Sequence, residues 1–379
     1  MKPSPIRDAL QHLLDAPWPA LDPLPPKGAE LVIYGAGNCG RHIQGVLSKH
    51  GYRVAAFIDS RADAIGPVAS TACFAPDRPE ARALAARGLA VVVGVFNYQA
   101  DLHAIDSLLR NIGFRQVVSY YALNEHLPAE LPSLYWLVDR SFYQDKKDAI
   151  LGGFDLLDDD ISRQVYLDLM KLRLTYDLSV LREPLRENQY FLPELFQDRK
   201  AMRLVDGGAF TGDTLEFFLE KQLPIEAVAA FEPDPGNFRR LSAFARKEQA
   251  RLGEVTLFPC GLDEMTTGRR FHSQGLSSSA ISDQGDSFIQ VAALDEVLPC
   301  FAPTLIKLDI EGAELAALRG AAHTIRTHGP DLAICVYHAP EHLWEIPALM
   351  RELLPAHKLA LRYHQLTGFE VVAYAYRAA

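Results

Sequence analysis

No apolar run in this 379-residue chain approaches the roughly 20 residues needed to cross a bilayer as a helix. The longest, residues 89–96, reads as a buried strand. Residues 1–8 carry no apolar core of leader-peptide length. Positive charge is short as well: 38 Lys and Arg stand against 48 Asp and Glu, a net charge of −10. That balance argues against nucleic acid or an anionic membrane as a partner. Cysteine is scarce. Cys39, Cys73, Cys260, Cys300 and Cys335 are odd in number, scattered, and without the paired spacing of a metal site. They read as reduced thiols, so the expectation is a cytoplasmic protein and not a disulfide scaffold. What remains is an ordinary globular composition, 49% hydrophobic and 23% charged, at a length that predicts two or three domains.

Against that background two glycine-rich turns stand out. Gly35-Ala36-Gly37-Asn38-Cys39-Gly40 follows an apolar run at 30–34 and opens an amphipathic segment at 41–50. A second apolar run, 53–59, ends in Asp59. Glycines at those spacings let backbone approach a phosphate at a helix N-terminus, and the acid accepts from ribose hydroxyls. The expected accessory nucleotide site is therefore Gly35, Gly37, Asn38, Gly40 and Asp59, with NAD or a nucleotide-sugar as ligand. Within residues 29–125 no Tyr-x-x-x-Lys pair for hydride chemistry accompanies it.

The second turn runs from Asp206 through Gly207, Gly208 and Gly212 to Asp213 and Thr214, directly after an apolar strand at 203–206. About 20 residues on, the apolar strand 227–232 ends in Glu232-Pro233-Asp234. Asp206 can accept from an amino group, Glu232 from ribose hydroxyls, and Asp234 suits the N-cap of the next helix. Cys260 and Gly261, after the third strand, offer backbone to a base.

Alternating apolar strands and helical segments predict an α/β protein with two doubly wound sheets. Residues 1–28 form a proline-rich lead-in and 29–125 a Rossmann-like accessory domain. Residues 126–200, rich in aromatics and helical in period, form a connector. Residues 201–379 form a domain of seven strands, at 203–206, 227–232, 255–259, 304–309, 331–337, 358–364 and 370–376. The last two are joined by Gln365-Leu366-Thr367-Gly368-Phe369, too short for a crossover helix, so they must be antiparallel. A parallel sheet that finishes with an antiparallel strand is expected of a class I methyltransferase.

The strand at 304–309 carries unusual charge. Leu305-Ile306-Lys307-Leu308-Asp309-Ile310-Glu311-Gly312-Ala313-Glu314 places one lysine and three carboxylates at a strand's carboxyl end, where open α/β sheets hold ligands. Alternation sets Lys307 and Asp309 on one face, and they are expected to pair. His338 ends the next strand, and a histidine near its ordinary pKa suits a general base. Ser278 and Ser279 lie in a polar loop that could bind a polyhydroxylated substrate.

Together these residues resemble the FkbM family of S-adenosylmethionine-dependent methyltransferases. The resemblance rests on 205–214, Phe231-Glu232-Pro233-Asp234 with Asn237-Phe238, and Leu294-Asp295-Glu296. It continues through 306–314 and Val336-Tyr337-His338. It implies methyl transfer from S-adenosylmethionine to a hydroxyl of a sugar, glycan precursor or related small molecule. The catalytic residues are expected among Asp309, His338, Lys307 and Glu311, with His338 or Asp309 as base and Lys307 steadying Asp309. Ser278, Ser279 and Glu314 are expected to face substrate. A divalent metal at Asp309 and Glu311, and assembly as a homodimer, stay open. Two other readings compete: an oxidoreductase or epimerase using Gly35–Gly40, and a non-catalytic nucleotide-sugar-binding protein. The N-terminal half resembles, more loosely, the small Rossmann-like domain ahead of some sugar-modifying enzymes.

Overall fold

The computed structural model describes residues 5–21, 23–97, 99–128, 130–131, 135–181, 188–196, 201–272, 280–281 and 287–377. The chain gathers into two compact units. One holds residues 1–147, 167–185 and 365–369; the other holds 148–166, 186–364 and 370–379. The expected connector thus contributes chain to both.

The first unit is built on five parallel strands: β1 (Glu30–Tyr34), β2 (Arg53–Ile58), β3 (Cys73–Phe74), β4 (Ala90–Val93) and β5 (Val117–Val118), in the order β3-β2-β1-β4-β5. All four residues of β4 are buried, as an unbroken apolar strand covered on both faces should be. The helices Asn38–Lys49, Pro79–Ala86 and Leu102–Ile112 lie among these strands. Asp101 caps the last by accepting from Ala104 N at 2.9 Å, and Gly113, at φ +117°, ends it in the left-handed region. The strand order reverses between β1 and β4. At such a switch point two neighbouring strand ends diverge and leave a crevice.

The second unit carries β6 (Met202–Gly207), β7 (Ile225–Phe231), β8 (Glu254–Phe258), β9 (Gly261–Leu262), β10 (Thr267–His272), β11 (Ala280–Ile281) and β12 (Ser287–Ala292). It continues with β13 (Leu305–Leu308), β14 (Asp331–Cys335), β15 (Lys358–Tyr363) and β16 (Val371–Tyr376). Its main sheet has the order β15-β16-β14-β13-β6-β7-β8. Neighbours from β14 to β8 are parallel, and β16 is antiparallel to both β14 and β15. The expected seven strands with an antiparallel insertion are what the sheet contains. Because β16 runs backwards, its first residues lie beside the end of β14, with Val372 opposite Cys335. The carboxyl edge therefore includes a strand start, and Glu370 with it.

Sequence reading did not anticipate the separate small sheet, β11-β10-β12-β9. Its strands are short, two of them only two residues long, without a long apolar run to announce them. Gly268 in β10 has its missing side chain covered by Phe288 of β12, whose Cε1 lies 2.2 Å from where a Cβ would be. Ser278 and Ser279, the expected substrate serines, lie outside the described residues. Among the described residues no helix is long and apolar enough to cross a membrane.

Candidate active site

At the end of β6 the chain turns through Gly207, Gly208 and Gly212, the last two at φ +73° and +98°. These glycines were expected to make room for a ligand. Their nearest demands come instead from the chain itself. A Cβ on Gly208 would stand 1.9 Å from the Asp309 carbonyl oxygen, and one on Gly212 would stand 2.7 Å from Phe244. The turn is pressed against the end of β13, and only glycine allows that approach. The helix Asp213–Glu220 follows, with Asp213 exposed on its first turn and Thr214 buried.

Lys307 fastens this turn from below. Its ammonium lies 3.0 Å from Asp206 Oδ1 and donates to the carbonyls of Gly207 and Gly208 at 3.1 and 2.7 Å. The Tyr190 ring lies 5.0 Å away. Burial opposes the lysine's charge, but Asp206, Asp309 and Asp213 together outweigh it, so the pKa rises. The expected pairing of Lys307 with Asp309 is replaced by the pairing with Asp206. β13 and β6 are adjacent with Lys307 opposite Asp206, and that register brings the two buried charges together. Asp206 is wholly buried, and no hydrogen bond reaches its Oδ2 among the described residues. An orphaned acceptor beside a glycine turn fits the amino group of an S-adenosylmethionine-type cofactor.

Glu232 ends β7 and is buried. Its Oε2 accepts from Phe210 N at 3.0 Å and its Oε1 from Asp234 N at 2.8 Å. Burial pushes its carboxyl up to about 7. Each oxygen retains a lone pair for a ribose hydroxyl. Asp234 caps the helix Pro235–Lys247 by accepting from Gly236 N and Asn237 N, which frees Glu232 from that task. Pro233 holds the bend between the two acids. Burial pushes the Cys260 thiol up to about 11, so it stays protonated, while Gly261 begins β9.

The residues after β13 and β14 form one polar cluster. His338 has both ring nitrogens against carboxylates. Nδ1 is 2.8 Å from Glu314 Oε1, and Nε2 is 3.3 Å from Asp309 and 3.7 Å from Glu311. Its side chain is 1% exposed. Burial opposes the charge, but Glu314, Glu311 and Asp309 together outweigh it, and the imidazole is pushed up to about 10. An imidazolium donates at both nitrogens and has no lone pair to take a proton. The expectation of His338 as a neutral base is corrected on that ground. The metal left open at Asp309 and Glu311 finds this imidazolium facing both carboxylates. Among the described residues no three His, Cys, Asp or Glu side chains are arranged to hold a metal.

Glu314, expected to face substrate, is fully buried. Its Oε1 also accepts from Ile310 N at 2.9 Å, and its Oε2 lies 3.4 Å from His342 Nδ1. Burial works against its charge, but His338 outweighs burial and holds it at about 2. Asp309, by contrast, is a quarter exposed. It accepts from the Tyr190 hydroxyl at 2.7 Å and from the Tyr337 hydroxyl at 3.5 Å. Glu311 is 17% exposed and sits at φ +56°, a costly conformation for a residue with a side chain. Burial pushes it up to about 8.

Residues 206–364 match the model of the methyltransferase FkbM domain. The chain carries an FkbM methyltransferase domain. A crystal structure of a methyltransferase FkbM from Methylobacillus flagellatus KT is 23% identical over 99% of this chain and 94% of its own, with a TM-score of 0.75. It shares the fold of both units. An rRNA methylase from Streptococcus thermophilus, 14% identical, covers 52% of this chain and 99% of its own at a TM-score of 0.32, too slight to argue from. No curated protein sequence matches the chain.

The FkbM domain also recruits residues that sequence reading passed over. Glu370, at φ +53°, accepts from the Tyr337 hydroxyl at 3.4 Å and from the Gln189 amide. Burial pushes it up to about 7. Tyr190 and Gln189 come from the aromatic stretch at 126–200, where nothing in the spacing marked them. His342 could have been suspected only from its place four residues after His338.

In the first unit, Gly35, Gly37, Asn38 and Asp59 all line a cleft of about 320 Å³. Gly40 lies beneath it: a Cβ there would stand 1.9 Å from the Gly35 carbonyl oxygen. The fingerprint residues expected from the sequence are thus gathered at one crevice.

Proposed function

We propose that the FkbM domain transfers a methyl group from S-adenosylmethionine to a hydroxyl oxygen of a sugar, a glycan precursor or a related small molecule. The reading extends to a cytoplasmic enzyme that acts on neither nucleic acid nor membranes. The observation that carries it is Asp309. This partly exposed carboxylate is held by Tyr190, His338 and Tyr337 beside the glycine turn, at the carboxyl edge of the sheet.

When bound, S-adenosylmethionine supplies an activated methyl group on a sulfonium. Asp206 Oδ2 would accept from its amino group as an otherwise idle acceptor, and the Glu232 oxygens from its ribose hydroxyls through the lone pairs that Phe210 N and Asp234 N leave open. Asp309 would take the hydroxyl proton of the acceptor as the C–O bond forms and the sulfur–methyl bond breaks, its electron pair staying on sulfur. General-base help of this kind adds about 10²–10⁴-fold. His338 and Tyr190 fix the carboxylate's direction, and Glu311 orients the acceptor from the next turn. Glu370, close to its midpoint at neutral pH, can share that proton through Tyr337.

Two substitutions test this. Asp309→Asn should leave calorimetric S-adenosylmethionine binding intact and abolish methylation of a panel of sugars and glycan precursors followed by mass spectrometry. Glu232→Ala should weaken the binding itself. Unchanged turnover in the first, or unchanged affinity in the second, refutes the assignment. If NADH instead of S-adenosylmethionine protects the chain from unfolding, the oxidoreductase reading replaces it.

A further inference from the structure

The methyl-transfer reading leaves the cleft of the first unit without a task. It lies at the switch point, where the ends of β1 and β4 diverge, and both Gly35 and Gly94 line it. Open α/β sheets hold ligands at that place.

Three glycines form the turn, and only two are demanded by the chain. A Cβ on Gly35 would stand 2.7 Å from Val95, and one on Gly40 would strike the Gly35 carbonyl. Gly37 is different. Its φ is −75°, which any residue adopts, and a Cβ there would meet nothing within 4 Å. It opens onto the cleft as the N-cap of the helix Asn38–Lys49, and no side chain caps that helix. A bare backbone at this point lets a phosphate come within hydrogen-bonding distance of the first helical N–H groups.

The rest of the cleft fits the remainder of a nucleotide. Asp59 is held rigidly: Oδ2 accepts from Ala36 N and Oδ1 from Arg61 N, both at 2.8 Å. A free lone pair on each oxygen is left for ribose hydroxyls. The Arg61 side chain, 74% exposed, also lines the cleft and keeps its positive charge 3.8 Å from Asp59 Oδ1. Tyr34, Val95, Phe96 and Ile105 supply apolar wall, and Phe96 is braced by stacking on Tyr120 at 4.7 Å. At about 320 Å³ the cleft is at the small end of the ~300–1,000 Å³ of small-molecule sites. A pocket of that size suits one nucleoside with its phosphates.

We infer that the first unit binds a nucleoside diphosphate group, with its phosphates on the N-terminus of the helix Asn38–Lys49 and its ribose on Asp59. The group could arrive as a free nucleotide or as the head of a nucleotide-linked sugar. Calorimetric titration of the full chain with ADP, UDP, UDP-glucose and NAD⁺ separates these sources. One mononucleotide or UDP-glucose should bind once per chain. Tighter binding of UDP-glucose than of UDP identifies the sugar-linked source, and equal binding the free nucleotide. Gly37→Leu fills the open space without straining the fold, so it should weaken binding by about tenfold or more at an unchanged melting temperature. Arg61→Ala, an exposed change, should weaken it less. Absence of binding at millimolar concentrations overturns the inference, and so does tighter binding of NAD⁺ than of any mononucleotide. Affinity unaltered by Gly37→Leu does the same.

Discussion

Replacing Glu314 by glutamine preserves its shape and its acceptance from Ile310 N but removes its charge. The loss can be worked from the geometry. Glu314 Oε1 lies 2.8 Å from His338 Nδ1, and neither side chain meets water. Two unit charges about 4 Å apart interact by about 4 kcal/mol at an effective dielectric of about 20. At about 1.36 kcal/mol for each pH unit, that is worth about 3 in pKa. It leads the contributions that carry His338 from 6.5 to about 10 against the burial that lowers it. Glu314→Gln should therefore lower the His338 pKa by about 2–3, with Asp309 and Glu311 retaining the rest. It should also destabilise the fold by about 3–4 kcal/mol. The pH dependence carries the sharper test. His338 titrates higher in the folded state, so its contribution is complete below 6.5 and is lost as pH climbs through about 10. Glu314 titrates lower in the folded state, so its contribution is complete above 4.5 and is lost as pH falls through about 2. The stability gap between wild type and variant should be widest between those limits, from pH 4.5 to 6.5. Urea unfolding at a series of pH values measures the gap, and NMR of ¹³C-labelled histidine measures the pKa. A gap that stays flat with pH, or a His338 pKa that does not move, refutes the ion pair as the cause.

Lys307→Met should cost about 3–5 kcal/mol, because it strands the buried Asp206 carboxylate; Asp206→Asn added to it should recover most of that loss in urea unfolding. Gly208→Ala should cost about 3 kcal/mol or more, since its Cβ meets a strand carbonyl that cannot withdraw, while Gly37→Ala should stay within about 0.5 kcal/mol of wild type in the same assay. S-adenosylmethionine affinity should fall as pH drops through about 7, where Glu232 gains its proton and loses acceptor capacity, and Glu232→Gln should flatten that profile in calorimetry.

The two α/β domains and the antiparallel last strand were legible because each rests on local signals: apolar runs, glycine turns, and a connection too short for a helix. The glycine turns were legible in place but only partly in cause. Gly208 and Gly212 answer to Asp309 and Phe244, residues about 100 and 32 positions away, and no local pattern discloses such a neighbour. The same holds for Lys307. Alternation along its own strand offered Asp309 as partner, but the register between β13 and β6 delivered Asp206. A strand's own period says which face a side chain takes, whereas its partner on the adjacent strand depends on sheet order.

The charge states were the least legible part, and they are where the site's chemistry is decided. His338 read as a base because an isolated imidazole titrates near neutrality. Three carboxylates converge on it from the turn after β13, and that convergence turns it from acceptor to donor. Burial, helped by the nearby Asp309, raises Glu311 and Glu370, so the cluster holds fewer negative charges at neutral pH than its carboxylates suggest. Phe210, Glu311 and Glu370 adopt positive φ at one edge of one sheet, at φ +46°, +56° and +53°. Such conformations cost about 1–3 kcal/mol each and persist only where surrounding structure enforces them. Glu311 and Glu370 are held this way with their carboxyls close to Asp309, and Phe210 with its N–H on Glu232. Strain and altered basicity thus coincide at the two places where a methyl acceptor and its donor would have to be gripped. A substitution that relaxed the strain, Glu311→Gly, should accordingly gain stability from the backbone while losing turnover, and a variant that lost both would show that the strain serves packing alone.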